Sequence, residues 1–265
     1  MKRLLIILIA VTLVKADLRE DVENTAESLI DGAASLISAG IFSIAGTHGG
    51  FEHFNMGLGV NMINFKFTHP LTGEQIEFPG VMPLIYGEVG ILDGFYVSPE
   101  INGVGAIDII GRVMPMMRSK DYFDESIRPL YWAGGVKIQL IKDQLVPPTP
   151  AFSVTIMYHS LENIGFEFDT LHTEFSLSDL SLHADFSKTL IFLSPFVGIG
   201  YDTYELNGSY WKDGDNEKHR ITLMENHHLR YYGGVRLNIL YVNIFLEGAY
   251  INNKTVFSAG IKAGR

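Results

Sequence analysis

The stretch YYGGVRLNILYVNIFLEGAY, Tyr231 to Tyr250, alternates apolar and polar side chains through two runs joined by a short turn. One set is Tyr231, Gly233, Val235, Leu237 and Ile239, continuing with Val242, Ile244, Leu246, Gly248 and Tyr250. The other is Tyr232, Gly234, Arg236 and Asn238, then Tyr241, Asn243, Phe245, Glu247 and Ala249. Side chains alternate faces along a strand, so this is a hairpin with one apolar face and one largely polar face. A soluble sandwich shares that pattern, and the rest of the chain must decide between the two.

The first sixteen residues, MKRLLIILIAVTLVKA, place Lys2 and Arg3 before an apolar run that ends in Val14-Lys15-Ala16, and they predict a cleaved secretory signal over 1–16. The run is shorter than the ~20 residues of a comfortable membrane span. No cysteine occurs in the 265 residues, which excludes disulfides, thiol catalysis and cysteine metal sites. Removing Lys2, Arg3 and Lys15 takes the formal charge from −10 down by three, to −13, and argues against nucleic acid as a partner.

Residues 17–50 form a separate N-terminal segment in which Leu18 to about Ala39 predict an amphipathic helix. Its stripe is Leu18, Val22, Ala26, Leu29, Ile30, Ala33, Leu36 and Ile37, and Glu20, Asp21, Glu23, Glu27 and Asp31 lie off it. From residue 51 the period changes to two. Ten strands are predicted, near 52–66, 83–93, 100–114, 129–142, 150–160, 177–188, 192–206, 228–240, 241–252 and 255–264, with twelve as an alternative count. Long polar connections such as THPLTGEQIEFPG, RSKDYFDESIRP, ENIGFEFDTLHTEF and NGSYWKDGDNEKHRITLMENH alternate with mostly short ones, LDGFYVSPE, DQLVPPTP, SKTL and the turn at Leu240-Tyr241. Sorted loops of this kind belong to an up-and-down transmembrane β-barrel over 51–265, with long loops on the external side. On the apolar faces Trp132, Tyr158, Tyr201, Tyr231 and Tyr250 all fall at the external strand ends, as an interfacial girdle requires.

Signal, amphipathic N-terminal segment, alternating strands and the C-terminal run GGVRLNILYVNIFLEGAY with VFSAGIKAGR resemble the outer-membrane β-barrel proteins of Gram-negative envelopes. A more distant likeness is to the long-chain fatty-acid transporters, whose N-terminal segment plugs a barrel. The chain departs from the usual aromatic last residue of such barrels, ending Gly264-Arg265. The resemblance implies an outer-membrane location, contact with outer-membrane lipids and lipopolysaccharide, and insertion by the barrel-assembly machinery.

The opposite strand faces predict a lumen lined by Glu88, Asp108, Arg112, Lys137, His183, Asp185, Arg230, Arg236, Glu247 and Lys262, with His159, Asp202 and His228. Charges of both signs are mixed there, which suits either an ion-pair lattice filling a narrow barrel or a path for a polar solute. Glu247 is placed diagonal to both Arg236 and Lys262. None of the nine histidines has serine two residues on, so the His-x-Ser pair of outer-membrane lipid hydrolases is missing. His183 and Asp185 share a face without a placed nucleophile, and Glu225, His227 and His228 at the external rim lack an acidic pair. Asp213, Asp215 and Glu217 open like a calcium loop, but Lys218 and Met224 stand at its required glycine and final carboxylate. No enzyme, metal or cofactor is therefore expected. The leading expectation is a narrow or plugged channel for a small or lipidic ligand, and the alternative is a non-transporting barrel acting through its external loops. The N-terminal segment is expected to be a plug in the lumen or a periplasmic cap, the favoured placement being a helix at the periplasmic mouth with its tip inserted and its acidic face toward the lumen cations.

Overall fold

The computed structural model describes residues 21–40, 45–47, 49–51, 53–69, 71–98, 101–114, 129–145, 148–168, 170–214 and 218–264. The signal segment 1–16, the helix start at Leu18 to Glu20 and most of the connection 115–128 lie outside them. One helix, α1 (21–38), precedes ten antiparallel strands. These are β1 (Phe54–Thr68), β2 (Gln75–Leu92), β3 (Ala106–Val113), β4 (Leu130–Ile141), β5 (Ala151–Phe168), β6 (Leu171–Ser187), β7 (Leu193–Lys212), β8 (His219–Ile239), β9 (Val242–Ile251) and β10 (Lys254–Gly264). Each pairs with its sequence neighbours, and β1 closes on β10 from Asn55↔Gly264 to Ile63↔Val256, so the count is ten rather than twelve.

The hairpin of β8 and β9 carries the faces its alternation predicts. Tyr231, Leu246 and Tyr250 point outward and are exposed, and Tyr232, Phe245 and Glu247 are buried inside. The outward set continues round the wall through Met56, Val81, Ile109, Val136, Ile156, Leu182, Val197 and Phe257, a belt of large apolar side chains with no partner in the chain. A closed sheet wearing such a belt has lipid as its solvent, and closure leaves no unpaired edge within the hydrocarbon. The chain is an outer-membrane-type β-barrel. Trp132 packs at a tilt against Tyr158 with centroids 5.6 Å apart, Tyr231 pairs with Tyr250 across β8 and β9, and Tyr201 completes the outer girdle.

Two of the predicted long loops are strands. β5 runs on to Phe168 and β6 begins at Leu171, and β7 runs on to Lys212 and β8 begins at His219, so most of ENIGFEFDTLHTEF and of NGSYWKDGDNEKHRITLMENH forms wall. β2 likewise starts at Gln75, well before the predicted 83, whereas β3 starts at Ala106 because 93–105 folds back on itself through Phe95↔Val104 and Ser98↔Ile101. The reason is a change of phase at the girdle. Below it the apolar residues of β6 and β7 face out, as Leu180, Leu182, Val197 and Ile199 do. Above it they face in, as Phe175, Leu177, Tyr204 and Leu206 do, while Glu174, Ser176 and Glu205 face water. A single apolar phase therefore breaks at the membrane boundary although the strand continues. The ten residues of β5 beyond Tyr158 carry the wall roughly 25 Å past the girdle, at ~3.4 Å per residue and a tilt of ~40°.

The inward apolar surface of that extension packs on α1. Val22, Ala26, Leu29, Ile30, Ala34 and Ile37 share one buried cluster with Ile63, Phe65, Phe67, Leu161, Phe166, Phe175, Leu177, Tyr204 and Leu206. The helix is thus inside the barrel and not a cap on the periplasmic mouth. Thr25 donates to the carbonyl of Thr68 at the external end of β1 (2.6 Å), so α1 starts at the external end and points its C-terminus inward. Ala45 and Thr47 lie toward the inner mouth, where Ala45 N donates to Ser187 Oγ and the Thr47 hydroxyl to Gln139 Oε1. An amphipathic helix needs an apolar partner, and only the outer half of this lumen offers one.

Candidate functional site: the helix-end cage in the lumen

Four carbonyls at the end of an α-helix have no partner within it. In this barrel the wall supplies them. Asn61 Nδ2 donates to the carbonyls of Leu36 (2.7 Å) and Ala39 (3.0 Å), and the Tyr131 hydroxyl donates to Ile37 (3.3 Å). Arg230 donates to the carbonyl of Ser38, and Arg112 Nη1 to that of Ala39 (3.2 Å). Gly40 takes the left-handed conformation (φ 65°) that suits a residue just past a helix end, and its N–H donates to Glu247 Oε1 (3.1 Å). Two guanidinium groups at the negative end of the helix dipole add favourable electrostatics in a site shielded from water.

Around this cage the charged side chains of strands one or two apart in the barrel pair off. Glu88 on β2 accepts from Lys137 on β4 and from Lys262 on β10, and Asp108 stands 3.8 Å from Lys137. Arg230 also reaches Asp202 (3.1 Å) and a ring nitrogen of His183 (2.6 Å). Tyr232 donates to Asp185, and the Ser181 hydroxyl lies 2.8 Å from Asp179 and 2.7 Å from Asp202. His159 Nδ1 is 2.9 Å from the Tyr131 hydroxyl. Buried charges cost several kcal/mol each unless paired, and here Glu88, Lys137, Lys262, Arg230 and Asp202 are paired by charge, while Asp179 and Asp185 are each hydrogen-bonded to a hydroxyl and Arg112 donates to a carbonyl.

All ten predicted lumen residues, Glu88, Asp108, Arg112, Lys137, His183, Asp185, Arg230, Arg236, Glu247 and Lys262, face inward, nine of them buried and Arg236 partly so at the inner mouth, 3.3 Å from Ser194 Oγ. Several pairings differ from expectation. Glu247 stands opposite Gly234 and Ser258, which leaves Arg236 diagonal to it but Lys262 four residues along β10, on Glu88 instead. His183 and Asp185 each take a separate partner. Among the helix acids Asp31 does not reach Arg112 or Arg230, which are held by the helix end. Asp31 accepts instead from Tyr204 (2.9 Å), Asn252 (2.7 Å) and Lys254 (3.3 Å), with His228 at 3.7 Å. Sequence reasoning missed Asn61, Tyr131 and Tyr204, neutral residues whose one signal was an inward strand phase, and Asn252, which sits in the β9–β10 turn. No three metal-ligating side chains converge among the described residues, and 215–217 of the calcium-like run lie outside these.

No protein-family model matches the chain, and no curated protein matches it either. Solved barrels do overlap it. The outer-membrane protease OmpT of Escherichia coli aligns at TM-score 0.47 and 9% identity over 81% of this chain and 97% of that one. The translocator domain of the autotransporter NalP from Neisseria meningitidis gives TM-score 0.44 and 9% identity over 96% and 97%. The KdgM porin gives 0.33 and 6% over 79% and 98%. A protease, a translocator domain and a porin differ in activity, and none of these likenesses assigns one here.

Proposed function

We propose that this protein is a self-plugged outer-membrane barrel that is closed at rest, is not an enzyme, and works at its external face. The observation that carries this reading is the placement of α1. Its apolar stripe is core for the extended wall, and Gly40, Ala45 and Thr47 beyond it bond the inner wall at Glu247, Ser187 and Gln139. Withdrawing the helix would expose that core to water, so resting conduction is disfavoured on energetic grounds. A second reading, passage of a small or lipidic ligand when α1 shifts, draws support from the mixed charges below the helix end, which would line a polar path. Single-channel recording in planar bilayers tests both. The closed reading expects no steps from the intact protein, and stable open steps from it would overturn that reading in favour of passage.

A further inference from the structure

One residue outward of Tyr201 on β7, three inward-facing side chains meet in an arrangement that a single hydrogen cannot satisfy. Ser181 Oγ on β6 lies 2.8 Å from Asp179 Oδ2 and 2.7 Å from Asp202 Oδ1, and all three residues are at most 1% exposed. A serine hydroxyl carries one hydrogen and ionised carboxylates carry none, so one of the two acids must bring its own. Arg230 decides which. Its Nη2 donates to the same Asp202 Oδ1 at 3.1 Å, which marks Asp202 as the ionised acid and as the acceptor of the Ser181 hydrogen. Asp179 then donates to Ser181 Oγ from a protonated Oδ2. His159 Nε2, at the paired position on β5, stands 4.0 Å from that oxygen, too far for a hydrogen bond, and is buried without a partner among the described residues.

Both acids are one contact away from the cap on α1. Asp202 shares Arg230 with the carbonyl of Ser38, and Asp179 faces His159, whose Nδ1 meets the Tyr131 hydroxyl that donates to Ile37. With Asp179 neutral, the charges of Asp202 and Arg230 balance. Without that proton a second carboxylate stands unpaired in a site shielded from water, near the negative end of the helix dipole. Arg230, whose Nε has no partner among the described residues, is then drawn toward the acids and away from Ser38. We propose that Asp179 is a proton-binding site and that the proton it shares with Ser181 latches α1 in the lumen. The helix end is capped while the proton is held and loosens when it is lost. The other charged or titratable groups around the acids are His183 beside Arg230, His228 opposite Asp202, Asp31 of α1 beyond His228, and Arg112 on the far side of the cap. Seating of α1 is therefore complete at low pH and falls as pH rises, the sign that holds when protonation favours the seated state. The latch rests on α1 being the plug, and it adds what releases it.

The test uses the full chain in lipid vesicles and two readouts. In the infrared, the unaltered protein at neutral pH is expected to show the C=O stretch of a protonated carboxyl that disappears in Asp179→Asn. In hydrogen exchange corrected for the intrinsic rate, protection of α1 is expected to be flat in acid and then to fall about tenfold per pH unit, the slope of one proton. Asp179→Asn, a neutral isostere that keeps a donor to Ser181, should hold α1 protected throughout. An infrared spectrum that the substitution leaves unchanged overturns the proton site. A pH dependence that survives the substitution belongs to His228 and Asp31 and overturns the latch. Should Asp179→Asn fail to fold, His228→Gln decides, since the fall in protection must persist in it. Its disappearance there, or a flat profile in the unaltered protein, overturns the latch. Open single-channel steps at every pH would instead overturn the closed-plug reading and leave the infrared band in place, so the two failures are distinguishable.

Discussion

Arg230 holds the carbonyl of Ser38, the ring of His183 and the carboxylate of Asp202 at once, and Gly200 leaves room for it. A Cβ added at Gly200 would stand 2.9 Å from the Arg230 Nε and Nη2 atoms. Arg230→Ala leaves Asp202 buried without its cation and should cost ~3–5 kcal/mol in a urea titration in lipid vesicles. Arg230→Lys should recover little, because one ammonium cannot present the planar fork that reaches three partners. Gly32 plays the same part on α1, where an added Cβ would meet the Phe65 ring at 2.8 Å, so Gly32→Leu should unseat the helix although it raises helix propensity. Outside the membrane, Lys188 ties together the inner turns by donating to Asp143 (2.7 Å), whose other oxygen accepts from Thr189 N (2.8 Å). Burial alone would raise the Asp143 carboxyl, but the Lys188 and Thr189 bonds outweigh it and hold the group below the usual carboxylate value. A depressed folded value means that the clasp stabilises fully above the ordinary carboxylate range and loses its contribution as pH falls through the lowered value. Asp143→Asn should flatten that acid limb of the unfolding profile.

Strand faces below the girdle were legible because one side must dissolve in lipid, and period two exposes that demand directly. Leu246 sits opposite Val235, four residues inside the Tyr231–Tyr250 pair, and Leu246→Arg should cost ~2–4 kcal/mol. Asn243→Arg, on the inward face near the inner mouth, should cost much less in the same vesicle assay. Equal costs would mean that the faces are assigned the wrong way round. The extensions of β5 to β8 were not legible as strands, since Phe175, Leu177, Tyr204 and Leu206 reverse the phase that Leu180, Leu182, Val197 and Ile199 set. Read with lipid as the partner they look irregular, and read with α1 as the partner they are regular. Bulges add to the difficulty. Register slips between Leu161 and Ile164, where Asn163 is left-handed, and again between Tyr204 and Leu206. The turn at Asn252-Asn253, left-handed at both residues, shows the reverse case, a two-residue hairpin whose residue types suit it.

For the whole molecule, a closed sheet of ten long strands should resist detergent until boiled. The intact protein should therefore migrate differently before and after heating on a gel and give a strand-dominated circular dichroism spectrum. That a helix accompanies the barrel was legible from its stripe, and where it goes was not. A stripe states the need for an apolar partner without naming it, and the wall that receives the helix includes residues more than 200 positions away, as the polar contact of Asp31 with Asn252 illustrates. Acidic residues on the far side of α1 pointed toward the lumen arginines by charge alone. The backbone carbonyls of Ser38 and Ala39 claimed those arginines first, and nothing in side-chain chemistry announces a carbonyl. The helix lies upstream of every strand, occupies the lumen, and is ~10–12 Å across. A finished cylinder already crowded with side chains admits no such object through its inner mouth. The order of assembly follows: α1 must be in place while the sheet is still a curved ribbon, and zipping β1 to β10 is the act that locks it in.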